Sequence, residues 1–437
     1  MYKEFHFNDF GFSLAESKVS LSYKVDEKYE FVEEFILPNS PRKLTEQQEQ
    51  ALQYVLKYWH LAVGISYYKA FLPESIVLDS YAINSQEAEF FERFYINGLG
   101  EFAVRNNLHF FEKIKFPFQQ GLKREPIDLH FNEEVLLPIG GGKDSCVTAE
   151  LLRDLGIKTT AIACGEPKPI ADVIAKSGMD KIIIKRKIAP ELLRLNESGE
   201  VYNGHVPITG ILAFMLWAVS IIYNKKYVVM SCERSASSGN MVYDGVKINH
   251  QYSKSYDFEN DFYALTQKIT PQFRYFSILR PISEIHIAKL FAQKCSKYFE
   301  VFTSCNKAFK LDEEKRLNHW CGDCDKCRFV FLILAPFMDR DKLIAIVGKN
   351  PLDDENQIKG YEELLGLTGY KPFECVGEFA ESKWALTQLA NKSEWQNDCV
   401  IKALANKIQN DDHNLFVPSG QHIIPERFSN VMAEFRK

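Results

Sequence analysis

Apolar and polar side chains alternate through "FSLAESKVSLSYKV" (12–25) and "YEFVEEFIL" (29–37). That is the period of strands with one packed face and one wet face, so antiparallel strands are expected up to the break at "PNSPRK" (38–43). The period then lengthens. "TEQQEQALQYVLKYWHLAVGISYYKAF" (45–71) and "NSQEAEFFERFYINGLGEFAVRNN" (84–107) are spaced as helices. Each opens on a capping box, Thr45 with Gln48 and Asn84 with Glu87. Strands followed by helices predict a separate N-terminal α+β domain over residues 1–130.

From about Glu134 the short apolar runs "VLLPI", "TTAIAC", "KIIIK" and "KYVVMS" alternate with amphipathic or buried helical stretches. This alternation predicts an α/β fold over 131–300, a doubly wound parallel sheet whose ligands lie at the carboxyl ends of its strands. The longest apolar run, "ITGILAFMLWAVSIIY" (208–223), is shorter than the roughly 20 residues that span a bilayer, and another strand follows it. It reads as a buried core helix. A cysteine-rich segment (301–350) and a helical extension (351–437), with pieces such as "SKWALTQLANKSEWQNDCVIKALANK", complete the chain.

A chain of 437 residues can bury more than one core, and 46% hydrophobic with 25% charged residues is ordinary for a globular protein. A net charge of -5 supplies no bulk attraction for nucleic acid, so any anion site must be local. "MYKEFHFNDFGF" lacks a secretory signal, and a cytoplasmic protein without membrane spans is expected. All ten cysteines follow Ser145, and four crowd between Cys305 and Cys327. In a reducing compartment that crowding suggests a metal more than a disulfide framework.

The candidate anion site is "LLPIGGGKDSCVTAELL" (136–152), which reads as strand, glycine loop and helix. Gly140, Gly141 and Gly142 let backbone N–H groups approach an oxyanion, and the following helix adds its positive end. Lys143 and Ser145 supply donors. Asp144 would repel a phosphate unless a divalent cation lay between them, so the loop suggests a nucleotide with Mg2+. A purely structural glycine turn is the alternative. The spacing does not match Walker A.

The second constellation, "SCNKAFKLDEEKRLNHWCGDCDKC" (304–327), offers Cys305, Cys321, Cys324 and Cys327. Four thiolates with a Cys-x-x-Cys knuckle suit a closed, structural Zn2+ site, with an iron–sulfur cluster as competitor. His319 reads as a bystander. Between the two motifs runs "CERSASSGNMVYDGVKINHQYSKSYDFE" (232–259), too polar for a core and too aromatic for a linker. It follows a strand, so Glu233, Arg234, Ser235, Ser237 and Asn240 should emerge beside the glycine loop, with Asn249, His250, Lys254 and Ser255 close behind.

The loop resembles the PP-loop of the adenine-nucleotide α-hydrolases, ATP pyrophosphatases with the pattern Ser-Gly-Gly-x-Asp-Ser. Gly141, Gly142, Asp144 and Ser145 match it, and Gly140 stands where the first serine is expected. A PP-loop followed by Cys-x-x-Cys-x-x-Cys is similar to the 7-cyano-7-deazaguanine synthases, but those are much shorter. The order of the N-terminal strands and helices, the PP-loop, "LRPISEIHIAKLF" (279–291), the knuckle and "GYKPFECVGEFAESKWAL" (369–386) resembles the MurL family of ATP-dependent UDP-N-acetylmuramoyl-L-alanyl-L-glutamate epimerases over nearly the whole chain.

That resemblance implies inversion of the terminal L-glutamate of a UDP-MurNAc dipeptide in peptidoglycan synthesis, with ATP consumed to AMP and pyrophosphate. Adenylation cancels the negative charge of the α-carboxylate, so loss of the α proton gives a delocalised enolate. His250 is the first candidate for acid or base, because histidine titrates near neutrality; a satisfied structural histidine is an equal reading. Lys254, Arg234 and Arg280 are candidates for holding phosphate or carboxylates. Cys375, Glu374 and Glu378 are further proton-transfer candidates, although a free cysteine is commonly a small buried hydrophobe. His205 reads as orienting a helix start. Two alternatives stay open: another acyl-adenylating or tRNA-modifying PP-loop enzyme, and a non-catalytic nucleotide-binding zinc scaffold.

Overall fold

The alternating N-terminal pattern forms three strands, β1 (Glu4–Ser13), β2 (Lys18–Val25) and β3 (Tyr29–Ile36), paired antiparallel with Phe5 opposite Val25 and Val19 opposite Phe35. Their inward residues Phe5, Phe7, Val19, Leu21, Tyr23, Phe31 and Phe35 are buried, as the period of two requires. These features belong to a computed structural model that describes residues 2–38, 43–310, 312–369, 371–409 and 415–437. Most of the break "PNSPRK" therefore lies outside the described residues.

Helix α1 (Glu46–Phe71) and helix α2 (Ser85–Gly98) flank the short strand β4 (Ser75–Leu78), and α3 (Gly100–Asn106) follows. Both expected capping boxes are present: Thr45 and Gln48 satisfy each other's main-chain N–H, as do Asn84 and Glu87. The alternating part then runs β5 (Asn132–Pro138), α4 (Lys143–Asp154), β6 (Thr159–Cys164), α5 (Lys168–Ser177), β7 (Asp180–Lys187), α6 (Pro190–Ser198), α7 (Ile208–Ile222) and β8 (Lys225–Met230). Strands β9 (Met241–Tyr243) and β10 (Val246–Ile248), α8 (Tyr256–Gln267), β11 (Arg274–Ser277) and α9 (Glu284–Lys294) come next. The C-terminal helices are α10 (Asp325–Leu334), α11 (Arg340–Val347), α12 (Ile358–Leu364), α13 (Phe379–Ala390), α14 (Cys399–Leu404) and α15 (Val431–Glu434).

The fold is α/β. One nine-stranded sheet has the order β11-β8-β5-β6-β7-β3-β2-β1-β4, and β9 and β10 form a separate hairpin. β5 and β8 pair in parallel, and β3 pairs antiparallel with β7, with Glu34 opposite Lys187. Thus the N-terminal strands continue a sheet, and a large sheet of this composition is compatible with a doubly wound arrangement. The hairpin turns at Asp244 and Gly245, both with positive φ (52° and 74°), as a two-residue turn of the Asp-Gly kind demands.

Two compact units divide the chain: residues 1–136, 182–228 and 241–275 in the first, 137–181, 229–240 and 276–437 in the second. In the first, α1 packs on β1, β2 and α7, and α7 is buried along nearly its whole length. Among the described residues no helix is long and apolar enough to cross a membrane. In the second, α9 packs on α4 and α10, and α10 also packs on α13.

The first unit contains a titratable group with no exposed surface, His60 in the middle of α1. Its Nε2 lies 2.8 Å from the Ser22 carbonyl and its Nδ1 3.1 Å from the Tyr81 hydroxyl. A neutral ring protonated at Nε2 satisfies both partners, donating to one and accepting from the other. Burial holds its pKa down to about 3. As pH falls below the ordinary histidine value the unfolded chain takes up the proton first, so stability is full above that value and is lost on the way down to about 3. Denaturant titrations from pH 7 to 4 should show wild type losing about 1.4 kcal/mol per pH unit more than His60→Gln. Equal slopes would show that His60 takes up its proton as readily in the folded protein as in the unfolded chain.

Candidate active site

β5 delivers the chain to the glycine loop, and Gly142 forms the N-cap of α4 without a side-chain cap (φ -90°, ψ 173°). The first N–H groups of α4 thus carry the positive end of a helix dipole into the loop. Gly141 needs its glycine: φ is +79°, and a Cβ would stand 3.4 Å from the Ile170 nitrogen. At Gly142 a Cβ would lie 2.8 Å from the Ser304 Oγ. At Gly140 a Cβ would meet nothing within 4 Å, so a side chain fits there.

Charge concentrates beside this loop. Lys143 is 2% exposed, and its ammonium pairs with Asp144 and with Glu284, the first residue of α9. Glu233, just beyond β8, is also buried, and carboxylate oxygens of Asp144, Glu233 and Glu284 lie within 4.8 Å of one another. Burial alone would lower the Lys143 pKa, but Asp144 and Glu284 override it and hold the ammonium protonated. Burial raises the Glu284 carboxyl, and Asp144 and Glu233 raise it further against the opposing pull of Lys143. The buried Glu233 and Glu284 and the part-exposed Asp144 thus gather oxygen donors beside one ammonium, a group that could hold a divalent cation.

Beyond β8 the polar stretch is bonded to the C-terminal part of the same unit. Ser235 donates to Glu381 (2.8 Å), Ser238 donates to Glu378, and the Asn240 amide donates to the Pro372 carbonyl (3.1 Å). Glu381 has no exposed surface and also accepts from the Glu378 and Ile285 N–H groups. Burial pushes its carboxyl up, and those donors oppose the shift. Glu374 and Cys375 lie half-buried in the stretch that Asn240 and Ser238 hold. Buried Arg280 donates to the Glu233 carbonyl (2.7 Å), and Arg234 donates to the Val417 carbonyl (3.0 Å).

The four thiols of Cys305, Cys321, Cys324 and Cys327 gather with their sulfurs within 4.8 Å of one another and could hold a metal ion. Cys324 is 3.4 Å and Cys321 3.7 Å from the Cys327 sulfur. A tetrahedral ion with metal–sulfur bonds near 2.3 Å needs sulfur separations of about 3.8 Å, so the group fits one. The Asp323 N–H donates to the Cys321 sulfur (3.4 Å), and Gly322 turns the knuckle at φ +72°. His319 bonds the Trp320 carbonyl instead of joining the sulfurs. The segment leading into Cys305 braces the glycine loop: the Thr303 N–H donates to the Gly141 carbonyl (3.0 Å), and Ser304 fills the space beside Gly142.

Asn249, His250 and Lys254 belong to the first unit. The His250 Nδ1 bonds Glu101, and the His205 Nδ1 lies 3.3 Å from the same carboxylate oxygen. Lys254 closes a turn through its N–H to the Gln251 carbonyl (2.7 Å), and the Asn249 side chain accepts from the Gln251 N–H (2.8 Å). Glu101, Glu284 and Glu381 did not stand out in the sequence. The first two sit next to a glycine and after an N-cap serine, which were the only local signals.

Residues 1–278 match the MurL N-terminal domain family and residues 301–415 the MurL C-terminal domain family. Three curated proteins named UDP-N-acetyl-alpha-D-muramoyl-L-alanyl-L-glutamate epimerase are similar over nearly the full length. The one from Xanthomonas oryzae pv. oryzae is 40% identical over 95% of this chain and 94% of its own. Those from a Micromonospora species and Salinispora tropica are 37% and 36% identical, each over 98% of this chain and over 98% and 95% of their own. No solved structure matches the chain.

The loop geometry sets an order of tolerance. Gly140→Ala should leave thermal stability within about 0.5 kcal/mol, whereas Gly141→Ala should cost about 1–2 kcal/mol because alanine resists positive φ. Equal melting temperatures for the two variants would remove the requirement assigned to Gly141.

Proposed function

This chain belongs to the MurL family, and from that premise we propose that it inverts the terminal L-glutamate of UDP-MurNAc-L-Ala-L-Glu to D-glutamate in peptidoglycan synthesis, using ATP. The observation that carries the ATP-dependent reading is the glycine loop at the start of α4 with Lys143 and three carboxylates beside it. This is a PP-loop type of core, and the phosphates of ATP are its ligand. The N–H groups of Gly141, Gly142 and the first turn of α4 receive pyrophosphate oxygens, with the Ser145 hydroxyl as an added donor. Asp144, Glu233 and Glu284 hold Mg2+, which neutralises phosphate charge when bound.

In the reaction a glutamate carboxylate oxygen attacks the α-phosphorus, the bond to the β-phosphate oxygen breaks, and pyrophosphate leaves. The acyl-adenylate has lost the carboxylate charge that opposes α-deprotonation. A base removes the α proton, the enolate is reprotonated on the other face, and water splits the mixed anhydride into D-glutamate and AMP. Lys143 stays cationic beside the phosphates because its neighbours hold its proton. Arg234, Arg280, Ser235, Asn240 and Asn249 are the candidates for holding the substrate. His250 is the leading acid or base, with Lys254, Glu374 and Cys375 as the other candidates for the second proton. The four cysteines hold Zn2+, which fixes Cys305 and through it the strand of chain that braces Gly141 and Gly142.

Purified protein incubated with ATP, Mg2+ and UDP-MurNAc-L-Ala-L-Glu in D2O should yield AMP and D-glutamate with deuterium at its α-carbon. AMP with L-glutamate alone would reject the epimerase. Asp144→Asn should lower AMP formation by about 100-fold, the scale of losing one preorganised electrostatic partner. Metal analysis should find zinc rather than iron, and Cys327→Ser should lose it together with the resistance of the glycine loop to proteolysis. Iron in stoichiometric amount would replace the zinc assignment.

A further inference from the structure

His250 is not a solitary histidine. Three segments distant in sequence converge on it within the first unit: the start of α3 with Glu101, the turn before α7 with His205, and the end of the β9–β10 hairpin with His250 itself. Glycines let the three approach this closely. A Cβ on Gly100 would stand 2.9 Å from Ile248, one on Gly98 2.5 Å from Pro207, and one on Gly204 3.1 Å from Phe102. Each contact lies within two residues of a member of the cluster, or joins the elements that carry two of them. The result is a carboxylate with 6% side-chain exposure receiving two imidazoles whose ring centres are 4.7 Å apart. Arg105, one turn further along α3, pairs with the other carboxylate oxygen. Burial raises the Glu101 carboxyl, but His250, His205 and Arg105 outweigh burial and keep it ionised.

We infer that Glu101 is the positioning residue for proton transfer by His250, with His205 as the second imidazole on the same carboxylate. The inference rests on the epimerase reading above. Glu101 accepts from the His250 Nδ1–H, so the neutral ring carries its proton on Nδ1 and presents Nε2 as the basic atom. On taking the α proton at Nε2, His250 becomes an imidazolium stabilised by the adjacent carboxylate, and the electron pair of the broken C–H bond remains on the substrate enolate. Return of a proton from an imidazolium or from solvent completes the exchange. Glu101 itself stays ionised throughout. Glu101 and His205 face His250, and Arg105 pairs with the opposite oxygen of Glu101. Removing the negative charge of Glu101 must therefore make His250 harder to protonate.

The test compares wild type with Glu101→Gln, Glu101→Asp, His205→Asn and His250→Gln. Each is incubated with ATP, Mg2+ and UDP-MurNAc-L-Ala-L-Glu in D2O, and the readout is α-deuterium incorporated per AMP formed. This ratio is insensitive to how much protein is folded. It should fall roughly 100-fold in Glu101→Gln and His250→Gln. Glu101→Asp should recover part of it, and the His205→Asn ratio should lie between these variants and wild type. In the ligand-free protein, nitrogen-resolved NMR should show His250 protonated at Nδ1 in wild type and titrating at lower pH in Glu101→Gln. An active wild type with an unchanged ratio and an unchanged His250 titration in Glu101→Gln would overturn the inference alone. A wild type that makes neither AMP nor D-glutamate overturns the function on which it rests, whatever the variants do.

Discussion

A buried ammonium surrounded by carboxylates organises the second unit. Lys143 gains its place at the first turn of α4 only because Asp144 and Glu284 meet it there. Removing water from these groups costs several kcal/mol per ion unless each finds a partner. That requirement ties the start of α4 to the start of α9 and draws Glu233 in from the end of β8. Asp144 and Glu284, which hold the proton on Lys143, also form with Glu233 a group of oxygen donors that could hold a divalent cation. Stability and chemistry here have one electrostatic origin.

Around this cluster the second unit is cross-braced by polar contacts. Glu381 collects Ser235 and two main-chain N–H groups, and Asn240 and Ser238 hold the stretch containing Glu374 and Cys375. The segment leading into Cys305 also holds the loop, through Thr303 and Ser304. The first unit follows another rule. Its long helix α1 is packed against aromatic side chains, with buried polar atoms such as Glu33 satisfied by Tyr67 and Arg186.

Much of this was legible along the chain. Periodicity located β1 to β3, the four strands of the alternating part and the buried α7, because side-chain period reports burial directly. The capping boxes at Thr45 and Asn84 were readable because both partners lie within one turn. The Asp-Gly pair at 244–245 is a local turn signal too, but it lies inside a stretch whose composition, too polar for a core and too aromatic for a linker, carries no strand period around it. Strand β4 carries only four residues, too few for a period to stand out.

The sequence by itself determined the local chemistry of this protein: a glycine loop between a strand and a helix, four thiols at metal spacing, and a polar stretch after β8. The glycine loop and the trio Cys321, Cys324 and Cys327 are each contained in a few consecutive residues, so they are legible locally, whereas Cys305 joins the other thiols from 16 residues before Cys321. Only the tertiary structure decided which carboxylates answer them. Glu284 lies 141 residues from Lys143, and Glu101 lies 149 from His250. A glutamate at such a distance carries no mark in the sequence, since surface glutamates are common and only burial against a specific cation or imidazole makes one functional. The reason is dielectric: a charge pair worth little in water becomes decisive once folding has removed the water between its members.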